Sequence, residues 1–208
     1  MVDFLAALVA LTLASPLMLL AAVAVRIESR GPAFFRQRRV GKNGAEFVIL
    51  KFRTMFQRSL DGSPSLTRKG DNRVTRIGKL LRQWKIDELP QFFNVLRGEM
   101  SLIGPRPDLA QFYVNLDSTR HQVLRLKPGI TGWATLHFRD EESILASVSP
   151  ERMVVFYLND VLPKKIDLDL SYAREASFKG DIAILIQTVA AILPTRFAPS
   201  SSKHFPLA

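Results

Sequence analysis

The 208-residue sequence contains no cysteine, which excludes disulfide frameworks and cysteine-based metal sites. Its three histidines, His121, His137 and His204, lack the spacing of zinc ligands. The motifs GxxxxGK[ST], GxGxxG and GxSxG are also absent. These absences argue against zinc hydrolases, P-loop nucleotidases, dinucleotide-dependent oxidoreductases and α/β-hydrolases.

Acidic residues are scarce in one part of the chain. The whole sequence has 29 basic and 19 acidic residues, a formal charge of +10. Residues 26–85 hold 16 of the basic and only 4 of the acidic residues, so this block carries +12 and the remainder −2. Such a block attracts phosphate groups, whether on nucleic acid, on anionic lipid or on a small substrate.

Charge is missing altogether from residues 4–25, a run of 22 residues that belongs in a membrane. Residues 1–3 contain an acid and no base, which argues against a cleaved signal peptide. The basic block that begins at Arg26 predicts that the end of the run lies at the cytoplasmic face, beside anionic headgroups.

A proline interrupts this apolar run at its middle. Pro16 cannot donate a hydrogen bond to Thr12, so it kinks the helix, and the hydroxyl of Ser15 can compensate a nearby carbonyl. Each arm is then about 15 Å long, half of a bilayer. The residues alone therefore favour a kinked spanning helix and a re-entrant hairpin equally.

The remaining chain predicts many helices and few strands. Two β-prone runs, FFRQRRV and EFVILKF, flank the turn at residues 41–44, which predicts a hairpin. Its second strand ends on Lys51 and Arg53, which we include among the candidate phosphate-binding residues. Residues 140–142 are expected to form a solvated acidic surface, and the apolar residues 182–193 a helix buried in the core or an interface. Further helices are predicted over residues 73–85, about 88–97, 109–127 and 150–162.

The adjacent carboxylates Asp87 and Glu88 stand in these basic surroundings. An acidic pair of this kind often only begins a helix. Alternatively, one carboxylate can attack phosphorus while its neighbour binds Mg²⁺. Arg82, Arg106 and Arg139 are candidates for neutralising the phosphoryl oxygens in such a reaction.

Six motifs occur together in one order along the chain. They are QRRVG at 37–41, KFRTM at 51–55, RVTRIG at 73–78, DELPQ at 87–91, GPRP at 104–107 and PGITGWA at 128–134. In these motifs the chain resembles the bacterial sugar transferases, that is, the monotopic polyprenyl-phosphate phosphoglycosyl transferases. The resemblance extends from the N-terminal apolar run to about Leu193.

The resemblance implies a reaction and roles for individual residues. Asp87 would attack the β-phosphate of a UDP-sugar and release UMP, and polyprenyl (undecaprenyl) phosphate would then take the phosphosugar from Asp87. Glu88 would bind Mg²⁺, Arg82 would hold phosphate, and Arg139 matches an arginine of the family. Residues 135–138 depart from the family pattern, which leaves the sugar and uridine contacts undefined.

The resemblance also decides the fold and the location. It implies an α+β, helix-rich protein with a re-entrant membrane helix over residues 1–30, broken at Ser15-Pro16, and a cytoplasmic phosphoglycosyl transferase domain over 31–193 that contains the small β-hairpin. Residues 194–208 would form a flexible tail. Without the extra spanning helices of larger members, the chain would be a minimal catalytic unit at the cytoplasmic face of the bacterial inner membrane.

The expected partners are a UDP-sugar, polyprenyl phosphate and membrane lipids, without nucleic acid, and homo-oligomerisation stays open. The expected role is the first membrane step of glycoconjugate assembly, such as exopolysaccharide biosynthesis. The alternative is a membrane-anchored basic protein that binds anionic lipid or nucleic acid without catalysis.

Overall fold

The computed structural model describes residues 1–57, 66–114 and 116–192, and over these residues it confirms a helix-rich α+β fold. The predicted tail at 194–208 lies outside the described residues. The helices are α1 (Val2–Glu28), α2 (Arg76–Gln83), α3 (Gln91–Leu96), α4 (Ala110–Tyr113), α5 (Trp133–His137), α6 (Glu141–Ala146), α7 (Met153–Phe156), α8 (Leu162–Arg174) and α9 (Phe178–Ile192). The strands are β1 (Phe34–Val40), β2 (Glu46–Phe52), β3 (Ser101–Ile103) and β4 (Gly129–Thr131).

Helix α1 is, among the described residues, the one helix long and apolar enough to cross a membrane, with a mean hydropathy of 2.4. Its assignment continues through Pro16, so no interruption is seen at the predicted break. Ser15 donates its hydroxyl to the carbonyl of Thr12 at 2.8 Å. That carbonyl is the one that the proline leaves without its usual donor, so the predicted compensation is confirmed.

Both ends of α1 are attached to the rest of the protein. Near the start, Ser101 Oγ donates to Asp3 Oδ2 at 2.6 Å. At the other end, the backbone N–H of Ile77 at the start of α2 donates to the carboxylate of Glu28 at 3.1 Å. One side of α1 is buried between these points, and the other side exposes apolar residues: Phe4, Leu5, Leu8, Val9, Leu13, Leu17, Leu19, Leu20, Val23 and Ile27.

The hairpin of β1 and β2 is antiparallel, and its two strands coincide with the predicted runs. Asn43 and Gly44 adopt positive φ angles of 57° and 78° in the turn, which suits an Asn-Gly pair. The buried Asn94 on α3 holds the outer edge of β2, since it accepts from Leu50 N at 3.0 Å and donates to Val48 O at 2.7 Å. Helix α3 therefore has a fixed position against the hairpin.

A second sheet was not predicted, because its strands have only three residues each. Strands β3 and β4 are parallel and pair Ser101 with Gly129 and Ile103 with Thr131. The segments approach so closely that a Cβ added at Gly129 would lie 2.1 Å from the backbone nitrogen of Gly104. Residues 128–134 thus contain a strand and the start of α5, and their backbone contacts fix the turn that carries Arg106.

The helices after β3 differ from the prediction. Residues 109–127 form α4 and a 3₁₀ segment, Arg120–Arg125, rather than one helix. The helix predicted for 150–162 begins at Met153 and continues, through a π-helical segment at Tyr157–Val161, into α8. These helices enclose the largest apolar core, around Tyr157 and Leu145.

Helix α9 has the apolar sequence expected of a buried helix, yet much of it is exposed. Ile184 is buried, whereas Ile186 and Val189 are more than half exposed. Core burial therefore does not account for its composition. Burial of this helix at an interface stays a prediction.

Candidate active site

Asp87 and Glu88 lie on a short 3₁₀ segment, Ile86–Glu88, between α2 and α3. Lys85, the residue before it, has a left-handed backbone with φ of 54°, which turns the chain sharply after α2. Both carboxylates are buried, with exposures of 7% and 8%. A pair that only begins a helix would stay solvated, so the burial supports a functional interpretation.

Two cations enclose Glu88. Lys51 Nζ donates to Oε1 at 3.0 Å, and Arg106 donates to both carboxylate oxygens, from NH2 to Oε1 and from NH1 to Oε2 at 3.3 Å. Burial alone would raise the pKa of Glu88, but Arg106 and Lys51 outweigh it and hold that pKa well below its usual range. Glu88 is thus ionised at neutral pH. We call Asp87, Glu88, Lys51 and Arg106 the Glu88 cluster.

Asp87 differs from its neighbour because its pairing is incomplete. Its Oδ1 atom is buried and has no hydrogen-bond partner among the described residues. Burial, and then the charge of Glu88, raise the pKa of Asp87 to about 6. The carboxylate is therefore ionised at neutral pH but poorly solvated, as expected of an activated nucleophile.

The cations respond to the same environment. Burial lowers the pKa of Lys51 to about 8, although Glu88 opposes the shift. The carboxylate of Glu88 raises the pKa of Arg106, so this guanidinium stays charged. At neutral pH both cations are therefore charged and balance the two ionised carboxylates.

Arg82 lies beside this cluster, at the end of α2. Its Nε donates to Thr54 Oγ1 at 2.9 Å and its NH1 to Glu142 Oε1 at 2.7 Å. Its charge is among those that lower the pKa of Asp87, against the larger effect of burial, so Arg82 acts on that carboxylate. Thr75 caps α2 by accepting from Gly78 N and thereby sets where the helix begins.

The two remaining predicted arginines have other surroundings. Arg53 is 2% exposed and donates to the carbonyls of Arg30 at 2.6 Å and Ser29 at 2.7 Å, just beyond the end of α1. These contacts make it a cap for α1 rather than a member of the Glu88 cluster. Arg139 follows α5 and is exposed.

The acidic residues at 140–142 were predicted to form a solvated surface, and Asp140 and Glu142 are exposed as predicted, whereas Glu141 is partly buried. Glu142 pairs with Arg82, and Glu141 pairs with the buried Lys165 at 2.7 Å. The Arg82 pair joins residues 60 positions apart, so local sequence patterns carry no signal for it.

A buried carboxylate on α8 also escaped the sequence prediction. Asp169 Oδ1 accepts from the backbone N–H of Ala134 at 3.2 Å, at the start of α5. Burial raises the pKa of Asp169 to about 7. The alternation of acidic and apolar residues around it is the one sequence feature that could have indicated a buried acid.

Comparison with known proteins assigns the chain to a family. The model of the family described as "Bacterial sugar transferase" matches residues 1–195. The chain belongs to the bacterial sugar transferase family. This sugar transferase is 42% identical over 197 residues to a UDP-N-acetylgalactosamine-undecaprenyl-phosphate N-acetylgalactosaminephosphotransferase of Aeromonas hydrophila, covering 92% of this chain and 42% of that protein.

Two further relatives of the sugar transferase differ in how much of their own length it covers. It is 38% identical to the UDP-glucose:undecaprenyl-phosphate glucose-1-phosphate transferase of Escherichia coli, over 90% of this chain and 38% of that protein. It is also 38% identical to the uncharacterized sugar transferase EpsL of Bacillus subtilis, over 92% of this chain and 85% of that protein. The chain thus spans about two fifths of the length of the Aeromonas and Escherichia relatives.

Proposed function

We propose that this sugar transferase moves a sugar phosphate from a UDP-sugar to polyprenyl phosphate and releases UMP. The observation that carries the proposal is the buried, unpartnered Oδ1 of Asp87 beside the cations of the Glu88 cluster. The names of the relatives, which specify UDP-sugars and undecaprenyl phosphate, supply the substrate class.

In the first step, a carboxylate oxygen of Asp87 attacks the β-phosphorus. The bond between that phosphorus and the bridging oxygen breaks, and UMP leaves with the electron pair. In the second step, a phosphate oxygen of polyprenyl phosphate attacks the same phosphorus and displaces Asp87 as a free carboxylate. The products are UMP and a polyprenyl-diphosphate sugar, so atoms and charges balance.

The cations have separate tasks in this scheme. Arg106 and Lys51 hold Glu88 ionised and in place, and their charge also favours an incoming diphosphate. Thr54 holds Arg82 Nε and Glu142 holds its NH1, so a substrate phosphate would bind to NH2 of the same guanidinium. Arg139 is exposed and free to approach the nucleotide.

Magnesium is part of the proposal, with Glu88 as its protein ligand. Among the described residues no group of three or more acidic or histidine side chains gathers, so substrate oxygens would complete the coordination. Glu88 Oε2 accepts a single hydrogen bond, of 3.3 Å, which leaves a lone pair for a cation. When bound, Mg²⁺ would neutralise charge on the phosphate oxygens.

We further propose that α1 enters and leaves the membrane by the cytoplasmic face, with its turning point at Ser15-Pro16. The hydrogen bonds of Asp3 and Glu28 to the same domain support this path, because a spanning helix would separate its two ends by the bilayer. The chain has no cysteine, so single cysteines at Val2 and Arg30 can be labelled selectively. An impermeant maleimide should reach both from the cytoplasmic side, and a periplasmic Val2→Cys would exclude the re-entrant path.

Mass spectrometry can detect the covalent intermediate directly. Incubation with a UDP-sugar but no acceptor should add one sugar phosphate to the peptide that contains Asp87, and polyprenyl phosphate should remove it. The Asp87→Asn variant should gain no mass while it still binds membrane vesicles. UMP release by that variant would contradict the mechanism, and vesicle binding without UMP release by the wild type would favour the non-catalytic alternative.

A panel of UDP-sugars, scored by UMP release with undecaprenyl phosphate as acceptor, would identify the donor. The Aeromonas and Escherichia relatives are named for different sugars, so UDP-N-acetylgalactosamine and UDP-glucose should be tested first.

A further inference from the structure

A second group of buried charges lies behind the active site and is centred on Lys165 of α8. This lysine is 6% exposed. Its Nζ donates to Glu141 Oε2 at 2.7 Å and to the hydroxyl of Tyr157 at 3.2 Å. It also lies 5.2 Å from the centre of the Tyr157 ring. The proposed mechanism uses none of these three residues.

One branch of this group leads to the turn that carries Arg106. Tyr157 donates its hydroxyl to Asp108 Oδ2, and Arg39 donates to Asp108 Oδ1 at 2.8 Å. Asp108 follows Arg106 by two residues, across Pro107. Tyr157 begins the π-helical segment, a conformation that is frequent at functional sites. We call Lys165, Glu141, Tyr157, Asp108 and Arg39 the Lys165 cluster.

The other branch leads to Arg82. Glu141 is the first residue of α6, and the next residue, Glu142, holds the guanidinium of Arg82. The charge of Glu141 also contributes to the raised pKa of Arg106, after the larger effect of Glu88. Lys165 therefore contacts Glu141, whose neighbour Glu142 binds Arg82. It also contacts Tyr157, which binds Asp108 in the turn that carries Arg106.

We propose that Lys165 is a positioning residue that holds Arg82 and Arg106 in register for the substrate diphosphate. Replacing a buried ion pair by apolar residues is often neutral for stability, so stability alone is a weak reason for this pair. A displacement of about 1 Å in a positioning residue can lower a rate by about 100-fold. The inference rests on the proposed function and adds a role for a residue remote from the reacting atoms.

The test compares Lys165→Met with Lys164→Met, its exposed neighbour. Lys165→Met should lower kcat/KM for the UDP-sugar by about 10- to 100-fold, with KM affected because phosphate contacts are misplaced. Lys164→Met should match the wild type in the same assay. Equal kcat/KM for the two variants would overturn the proposal.

A double variant separates positioning from stability. Lys165→Met combined with Glu141→Met removes both charges of the pair and should return the melting temperature toward that of the wild type. The kcat/KM of the double variant should nevertheless stay low, because the tie between α6 and α8 is gone. Recovery of kcat/KM together with the melting temperature would show a purely structural role and overturn the proposal.

Chemical modification gives a readout that does not depend on activity. Phenylglyoxal should modify Arg82 and Arg106 faster in Lys165→Met than in Lys164→Met, with the exposed Arg125 as internal reference. Unchanged rates would overturn the proposal even if activity fell. Faster modification in a protein without UMP release would instead reject the proposed function and retain the positioning of the arginines.

Discussion

The Glu88 cluster and the Lys165 cluster are both buried groups of charges. They differ in how completely the oxygens of one aspartate in each, Asp87 and Asp108, are hydrogen-bonded. In the Lys165 cluster each carboxylate oxygen of Asp108 has a donor. In the Glu88 cluster an oxygen of Asp87 has none, and the pKa values of Asp87 and Lys51 move toward neutrality. A buried carboxylate with an unpaired oxygen stays reactive, whereas a carboxylate with a donor on each oxygen fixes geometry.

The largest expected effect comes from Asp87→Asn, which removes the charge at the point where pairing is incomplete. UMP release should fall by at least about 1,000-fold, because an amide cannot act as the nucleophile. The assay is UMP release under saturating UDP-sugar. As a matched control, Asp167→Asn changes an exposed aspartate on α8 and should leave the rate unchanged.

The same variant should stabilise the protein at alkaline pH. The pKa of Asp87 is raised from 3.8 to about 6 in the folded protein, so ionising this carboxylate lowers the free energy of unfolding. This loss of stability is absent below pH 3.8 and reaches its full size above about pH 6. Asp87→Asn should therefore increase the free energy of unfolding by about 2–3 kcal/mol at pH 8 and hardly at all at pH 4. Denaturation at these two pH values checks the sign, and a destabilised variant at pH 8 would contradict it.

The pH dependence of the reaction tests the two shifted pKa values of the Glu88 cluster. Asp87 must be ionised and Lys51 protonated, so kcat/KM should decline below about pH 6 and above about pH 8. Lys51→Arg keeps its charge at high pH and should abolish the alkaline decline while the acid one stays. If kcat/KM of that variant still declined above about pH 8, the decline would belong to another group.

A smaller effect is expected at Asp108, where both carboxylate oxygens have a donor. Tyr157→Phe removes the hydroxyl that donates to Asp108 and should lower the free energy of unfolding by about 2 kcal/mol, the usual contribution of a hydrogen bond to a charged group. The measurement is chemical denaturation. Tyr172→Phe removes a more exposed hydroxyl bond, to Asp181 on α9, and should therefore lower the free energy of unfolding less.

Local patterns predicted the parts of the fold that depend on neighbours in sequence. The Asn43-Gly44 hairpin and a helix within residues 73–85 were predicted from turn and helix chemistry, and both are present. The parallel pair β3 and β4 was missed, since it joins three-residue segments far apart in the chain. Leu80 of α2 is apolar yet half exposed, because α1 covers only the side that carries Leu81 and Ile77.

For the site as well, the sequence predicted residues that lie in recognisable motifs but not those whose contacts depend on helix packing. Asp87, Glu88 and Arg106 were named from charge and motif, and the structure brings them together. Arg53 was named for its cationic charge, yet its buried guanidinium binds carbonyls at the end of α1. Lys165 and Glu142 could not be found, because their contacts depend on how α6 and α8 pack.

Asn94 has a consequence for how copies of the protein coexist in solution. A two-stranded ribbon with an open edge is a template on which a strand of another molecule can assemble. The side-chain amide of Asn94 fills that edge at Val48 and Leu50, where it stands in for a third strand. One buried amide thus occupies two backbone positions to which another strand could otherwise pair, while it positions the helix that follows the two carboxylates.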